Sequence, residues 1–299
     1  MAEEKNNVLQ EKETVVFKRP SRVKEIWHRL KKNNLAIVGL VILIVIVGLA
    51  ICAPLIQDYE TCITLDTAHR LEKPSAQHIF GLDSYGRDIF ARCVWGARKS
   101  LTIGFLAAGL ATVFGSLIGA FAGYIGGKVD NVIMRFLDIV SAIPSTLLAL
   151  AVVAALGSSV PNLVLAMSFT ATPGFVRIVR SAVLSIADQE YIEACRACGT
   201  STWRIILKHI IPNAIGPVIV QGTMSVSGEI RNIATLSFLG LGINPPTPEW
   251  GALISEAKEF LRTCPTMMLF PAGMLCVTAF GIQVFGDGLR DALDPRLKS

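Results

Sequence analysis

Long stretches without a charged side chain are the feature that most constrains this sequence. Leu35 to Ile56 and Leu101 to Ile125 are 22 and 25 uncharged residues long. Because an α-helix rises about 1.5 Å per residue, about 20 apolar residues cross the roughly 30 Å hydrocarbon core of a bilayer. The first stretch is too long for a signal-peptide core and has no clear cleavage site of small residues. Both stretches therefore predict retained membrane-spanning helices.

A third uncharged stretch, Ile139 to Val176, has 38 residues and is too long for one span. Turn-forming residues between Gly157 and Asn162 interrupt it, which predicts two helices at roughly 133–156 and 162–180. The fifth and sixth helices are predicted from His209 to Gly228, with an extension past residue 235, and from Thr263 to Gly286. Only 17% of the residues are charged, against about 25% in soluble domains. The sequence therefore predicts an all-α polytopic membrane protein with six transmembrane helices.

The placement of the 28 lysines and arginines predicts the orientation of these helices. Nineteen fall on one side of the membrane and eight on the other, while Arg231 lies within an apolar segment. Basic residues accumulate on the cytoplasmic side of membrane proteins, so both termini are expected in the cytoplasm. A nucleic-acid partner would need a basic face on a soluble domain, which the sequence does not offer.

Residues 21–32 form a basic and apolar segment ahead of the first span. Val23, Ile26, Trp27 and Leu30 share one helical face, and five basic residues cover the rest. This pattern is typical of an interfacial helix on the anionic cytoplasmic leaflet. A solvated basic tail is the alternative.

The sequence contains no complete motif for catalysis or nucleotide binding. Its one Gly-Lys pair, at Gly127, has Ala122 at the first glycine position of a phosphate-binding loop and Val129 in place of the magnesium-binding Ser or Thr. Zinc-protease and nucleophile-elbow motifs are absent. Cys195 and Cys198 form a lone C-x-x-C pair, which we interpret as small residues in a packed helix. We therefore expect no catalytic residue, cofactor or metal in this chain.

The polar segment 174–216 lies between two predicted spans and has the pattern of a helix, a glycine turn and a second helix. Gly199 follows a run of small residues that ends the first helix. The Ser and Thr residues at 200–202 predict the N-cap of the second helix, and Pro212 bends the entry to the next span. Loops between spans are usually short, so this helix pair predicts a docking surface. An ordinary connecting loop is the alternative.

The segment Tyr191-Ile-Glu-Ala-Cys-Arg-Ala-Cys-Gly-Thr, followed by His209-Ile-Ile-Pro-Asn, resembles the EAA loop of ATP-binding cassette (ABC) importer permeases. That loop reads E-A-A, three residues, G, nine residues and I-x-L-P. Glu193, Ala194, Gly199 and Pro212 are in register, whereas Cys195 replaces the second Ala. The chain is also similar along nearly its whole length to the C-type permease of dipeptide, oligopeptide and nickel importers. Further matching motifs begin at Leu30, His78, Gly126, Met134 and Ser237.

This resemblance implies the type I ABC importer permease (MetI-like) fold and a set of partners. These are a second permease, one or two cytoplasmic ATPases that bind the ATP, and an extracytoplasmic substrate-binding protein. The ATPase-docking residues implied by the motif are Glu193, Ala194, Cys195, Gly199, Thr200 and Pro212. The implied substrates are di- or oligopeptides, with nickel or another small solute as the alternative.

The expected organisation follows from the spans and the resemblance. It comprises a cytoplasmic tail at 1–34, a first transmembrane helix at 35–57, an extracytoplasmic loop at 58–97, a type-1 transmembrane domain at 98–288 that contains the coupling loop 188–212, and a cytoplasmic tail at 289–299. The external loops 57–97 and 244–262 are expected to receive the binding protein. Trp95 and Trp250 are assigned to the membrane interface.

Two ionisable residues lie near the centre of a predicted span. Glu229 and Arg231 are two positions apart, so they point to different faces of one helix. An ionisable group within a membrane usually faces a cavity or a partner. One of them is therefore predicted to line the translocation path, with snorkelling or pairing with the neighbouring permease as the alternative.

Two other classes of membrane protein fit the sequence less well. A stand-alone secondary transporter would need its own midplane carboxylates or broken helices, and it would leave the helix pair at 191–211 without a role. An intramembrane enzyme would need paired catalytic groups within the spans, which we do not find. In the external loops, Cys62 and Cys264 are hypothesised to form a disulfide in an oxidising environment, with two unrelated thiols as the alternative.

The orientation can be tested with reporter fusions at Lys298. A reporter that is active only in the cytoplasm is expected to be active there, because most basic residues lie on the side of both termini. A reporter that is active only outside the cytoplasm should stay silent at the same position. Activity of the external reporter would overturn the six-span topology.

Overall fold

The structure is a computed structural model that describes residues 22–293. Within this range it is helical, and its β-structure is limited to an isolated antiparallel bridge between Leu82 and Asp88. The helices are α1 (Arg22–Leu30), α2 (Asn34–Ile51), α3 (Ala53–Ile56), α4 (Glu60–Ile63), α5 (Ile89–Ile125), α6 (Gly127–Ala142), α7 (Ser145–Leu156), α8 (Val160–Ala187), α9 (Glu190–Ala197), α10 (Thr202–Ile205), α11 (Ile211–Asn213), α12 (Ile215–Phe238), α13 (Trp250–Glu256) and α14 (Thr266–Leu293). This confirms the predicted all-α class.

Six parts of the described chain qualify as membrane spans. The helices α2, α5, α8 and α14 are each long and apolar enough to cross a bilayer alone. Two bent pairs complete the set: α6 with α7, at an angle of 86°, and Thr202–Asn213 with α12, at 69°. With each bent pair counted as one span, the number equals the six that the sequence predicts.

The helix boundaries differ from the predicted ones for local reasons. The predicted helix 133–156 is broken at Ile143, because a residue that precedes a proline is disfavoured in the α conformation. α5 begins at Ile89, well before the uncharged stretch, since Asp88 caps it by accepting a hydrogen bond from the Ala91 N–H. α8 continues to Ala187, so the first part of the predicted loop 174–216 is helical.

α5 and α8 pack through a row of glycines. Gly115, Gly119 and Gly123 are spaced by four residues and therefore lie on one face of α5. A Cβ added at Gly119 would lie 2.6 Å from the carbonyl oxygen of Val176. Small residues allow helix backbones to approach closely, which favours helix association in lipid. These glycines bring α5 and α8 together at the centre of the fold.

The first and last spans pack against each other in the same way. A Cβ at Gly39 of α2 would lie 2.7 Å from the carbonyl oxygen of Gly281 of α14. The preceding helix α1 joins this pair, since Ile26 and Leu30 pack in a cluster with Phe285. Trp27 of α1 is exposed, with the Lys31 ammonium 5.1 Å from its ring centroid. Part of the apolar face of α1 is thus covered by protein, and the contact of α1 with lipid stays a prediction.

Two arginines of α8 bind carboxylates of α6. Arg180 donates two hydrogen bonds of 2.5 Å to the buried Asp130, and Arg177 donates one of 3.1 Å to the exposed Asp138. α6 begins after Gly126, whose φ of +67° is in a region that favours glycine. α6 is therefore a separate helix between two breaks, and ion pairs hold it against the side of α8.

Cys62 and Cys264 are both free thiols and both buried. The hypothesised disulfide between them is therefore absent. Burial raises the pKa of the Cys62 thiol from 9.0 to about 12. Because the thiolate is the reactive form, Cys62 is expected to be inert at neutral pH.

The close packing of α5 can be tested by adding a single methyl group. Gly119→Ala is expected to lower the midpoint of thermal unfolding in detergent, since overpacking typically costs about 1–3 kcal/mol. Gly109→Ala is the matched control, because a Cβ at Gly109 of the same helix has no atom within 4 Å. It should leave the midpoint unchanged or raise it slightly, given the better helix propensity of alanine. Equal effects of both changes would contradict the role of the glycine face.

Candidate functional site

The short helix α9 ends in a defined glycine turn. The Gly199 N–H donates to the Arg196 carbonyl (2.9 Å) and the Thr200 N–H to the Cys195 carbonyl (3.0 Å), which is the pattern of a Schellman motif. Gly199 has a φ of +71°, as this motif requires. The sequence prediction of a helix that stops at Gly199 is confirmed.

Three contacts fix α9 against the spans. Ile192 is fully buried in a cluster with residues of α5, α8 and α10. The Arg196 Nε donates a 3.1 Å hydrogen bond to the hydroxyl of Tyr124, at the end of α5, and its guanidinium lies 4.7 Å from the ring centroid. The Asn213 Nδ2 donates a 3.2 Å hydrogen bond to the Tyr191 hydroxyl. α9 is thereby connected to α5, α8 and α11, and through the cluster around Ile192, which includes Val218, to α12.

The opposite side of α9 is open. Glu193, Ala194, Gly199 and Pro212 are exposed, and Cys195 and Thr200 are partly buried. The side chain of Glu193 has no ion-pair partner among residues 22–293. The structure thus gathers the motif residues around one short surface helix, although Pro212 lies at the far end of the following segment.

The segment after Gly199 differs in one detail from the prediction. Ser201 occupies the N-cap position of α10, but its side chain makes no capping hydrogen bond. The helix instead continues through a π-helical turn, Ile206–Ile210, into α11. Pro212 lies in α11, just before the 69° bend into α12. Its predicted role at the entry to this span is consistent with that bend.

The structure places Glu229 and Arg231 of α12 on different sides of the helix. Glu229 is buried, and its Oε2 has no hydrogen-bond partner. Arg231 is exposed, and its Nη1 donates a 2.6 Å hydrogen bond to the hydroxyl of Ser227. Of the two residues predicted for the path, only Arg231 lies at the surface of the described chain.

A buried ionic network joins the loop before α5 to the segment before α14, and sequence reasoning missed it. Arg87 and Arg92 each bind both Asp83 and Glu256, at distances of 2.5–2.7 Å. Asp83 and Arg92 are 1% exposed. The available signal was the run Asp83 to Asp88 beside α5, but nothing in the sequence indicated its distant partner Glu256. The network fixes the loop before α5 to the end of α13.

Glu249 and Trp250 stabilise the same region through hydrogen bonds of their buried side chains. Glu249 is fully buried and caps α13 by accepting hydrogen bonds from the Gly251 and Ala252 N–H groups, both 2.9 Å long. The Trp250 Nε1 donates to the carbonyl of Cys93 (3.0 Å). Trp250 is also fully buried, so its assignment to the membrane interface was wrong.

Comparison with protein families assigns the chain to a known group. Residues 115–299 match the family model described as "binding-protein-dependent transport system inner membrane component". The chain belongs to this family. Residues 21–74 of the permease match a second model, the "N-terminal TM domain of oligopeptide transport permease C".

Curated relatives cover almost the whole permease. It is 46% identical to the dipeptide transport system permease protein DppC of Alkalihalophilus pseudofirmus, over 92% of this chain and 90% of that one. It is 41% identical to the oligopeptide permease OppC of Bacillus subtilis and 40% identical to the glutathione permease GsiD of Escherichia coli O157:H7, with the same coverage. These matches confirm the resemblance to C-type permeases.

A solved structure supports the fold independently. The inward-facing MetNI methionine ABC transporter superposes with a TM-score of 0.57, at 20% identity, over 69% of this permease and 98% of that chain. The predicted type I, MetI-like fold is therefore confirmed.

The ionic network predicts a measurable stability effect. Arg92→Met leaves Asp83 and Glu256 with one arginine, and breaking a buried ion pair typically costs about 3–5 kcal/mol. The variant is expected to unfold at a clearly lower temperature in detergent. Arg98→Met changes an exposed arginine on the same helix and should have little effect. Similar midpoints for the two variants would mean that the network contributes little to stability.

Proposed function

We propose that this permease is one of two membrane subunits of an ABC importer for di- or oligopeptides. The named relatives carry dipeptides, oligopeptides or glutathione, which is itself a tripeptide. Each of these matches covers 92% of this chain. Nickel was the sequence alternative, and no observation favours it.

The exposed side of α9 is proposed as the docking surface for a cytoplasmic ATPase. The residues assigned to it are Glu193, Ala194, Cys195, Gly199, Thr200 and Pro212. The observation that carries the proposal is that α9 is exposed on one side and fixed to three spans on the other. A force applied at α9 therefore reaches α5, α8 and α12 together.

Coupling of this kind needs two arrangements of the spans. Closure of the ATPase pair would displace α9, and the bent segment Thr202–Asn213 would carry the displacement to α12. ATP is bound by the partner subunits, and this chain is proposed to be non-catalytic and to need no cofactor. Such a mechanism is a coupling free energy between distant sites that share a bistable element.

The remaining partners are assigned by position. A second permease completes the path, and the loops joined through Glu256 form the platform for an extracytoplasmic binding protein. Both termini are proposed to lie in the cytoplasm and the protein in the cell membrane; the parts of the tails at 1–21 and 294–299 lie outside the described residues. Arg231 is supported as a path residue by its exposure, whereas Glu229 could reach the path only after rearrangement.

Coupling can be tested at Gly199 by changes that differ only in backbone tolerance. A β-branched residue is strained at a φ of +71°, while Asn tolerates this region, and a Cβ there meets no atom within 4 Å. Gly199→Val is therefore expected to lose transport and binding-protein-stimulated ATP hydrolysis at normal membrane levels. Gly199→Asn should retain most of both. The measurement is uptake and ATPase activity of the reconstituted complex.

A charge reversal examines the same contact. Glu193→Lys should reduce both activities, since like charges at an interface can cost several kcal/mol. Asp287→Lys reverses an exposed charge on α14, away from α9, and should be active. Wild-type activity of Gly199→Val and Glu193→Lys would make the loop an ordinary connection. Failure of the wild-type chain to co-purify with an ATPase would favour a stand-alone transporter.

A further inference from the structure

One face of the spanning helix α12 is only partly covered by the chain, with three residues half-buried and two exposed. Five residues at spacings of three and four share one helical face: Gln221, Met224, Gly228, Arg231 and Thr235. Arg231 and Thr235 are exposed, whereas Ile230 and Ile233 on the other side are buried. A face directed at lipid would be apolar, so this row faces water or another protein.

Arg231 lies more than one helical turn from the end of its candidate span. α12 ends at Phe238, seven residues later, which is about 10 Å along a helix axis. An arginine at this depth is costly against lipid chains and normally faces a bundle interior or a water-filled cavity. Since its own chain leaves Arg231 exposed, such a cavity would have to be completed by the second permease of the proposed importer.

The guanidinium is held in place but not neutralised. Its Nη1 binds the Ser227 hydroxyl, which donates a 3.1 Å hydrogen bond to the Ala279 carbonyl of α14. Within residues 22–293, no carboxylate forms an ion pair with Arg231. Glu229 is near in sequence but buried on another side of the helix. Arg231 is thus a positioned cation with free N–H donors.

The same row of residues reaches a cavity near the other end of α12. Gln221 and Met224 line a cavity of about 540 Å³, together with Pro217 and with Arg290 of α14. Cavities of this size are typical of small-molecule sites. A polar row that continues into such a cavity favours a path for solute over a tightly packed contact between helices.

We propose that Arg231 binds the C-terminal carboxylate of a peptide as it passes between the permeases. The planar guanidinium presents paired N–H donors that match the two oxygens of a carboxylate. This assignment rests on the proposed importer function. It makes Arg231 a binding residue that distinguishes solutes with a free carboxylate from those without one.

The test uses proteoliposomes that contain both permeases, the ATPases and saturating binding protein, with the dipeptide Ala-Phe as probe. Arg231→Gln is expected to lower Ala-Phe uptake about tenfold or more, since hydrogen bonds to charged groups contribute roughly 1.5–3 kcal/mol. ATP hydrolysis and co-purification with the second permease should stay within about twofold of wild type, because a lost solute contact leaves assembly and coupling intact. Arg231→Lys keeps the positive charge but lacks the paired N–H donors of the guanidinium, so its Ala-Phe uptake should be intermediate.

Two comparisons separate this role from a structural one. Ala-Phe amide lacks the free carboxylate. Its uptake, normalised to the amount of binding protein that carries the amide, should be the same for wild type and Arg231→Gln. Arg98→Gln, an exposed arginine of α5, should leave Ala-Phe uptake unchanged.

Each contrary result has a definite meaning. Wild-type uptake by Arg231→Gln overturns the inference, as does an equal loss of amide uptake. Loss of co-purification with the second permease would instead assign Arg231 to an ion pair between permeases. If the wild-type complex imports no dipeptide, the proposed function itself fails.

Discussion

The close approach of α5 and α8 is the contact on which the other positions depend. In lipid the hydrophobic effect does not drive helices together, so backbone proximity and polar contacts must hold them. The glycines of α5 supply that proximity, and the adjoining ends of the same two helices hold α9 through Tyr124 and the cluster around Ile192. The proposed coupling surface is therefore an extension of the close packing of α5 against α8.

The sequence predicted those elements that depend on local composition. Uncharged length predicted the six spans, and the glycine with its flanking small residues predicted the end of α9. The break before Pro144 could also have been predicted from the local sequence. It was missed because it lies inside a long uncharged stretch. By contrast, the ionic network depends on Glu256, which lies more than 160 positions after Arg92 in the chain. Pairing over such a distance leaves no periodic signal in a single sequence.

The positions of individual polar residues show the same limit of prediction from a single sequence. Glu229 and Arg231 looked alike in the sequence as charges inside a span, and periodicity correctly placed them on different faces. Which face is buried depends on where α14 packs, through Ser227 and Ala279. Trp250 was misplaced for a similar reason, because an aromatic residue beside a span is typical of the interface. Here the carbonyl of Cys93 provides its hydrogen-bond acceptor inside the protein.

The ion pairs between α6 and α8 make the contact between these helices depend on the salt concentration. The contact between Arg177 and Asp138 is exposed, so salt screens it, whereas Asp130 is 7% exposed and its two bonds to Arg180 are shielded. At high ionic strength the hold on α6 would thus weaken at Asp138, while the Arg180 contact near the preceding glycine break and the Arg177 hydrogen bond to the Ser141 hydroxyl persist. The position of the α6 end next to Pro144 would then rest on neutral contacts alone, so it is the end that responds most to salt.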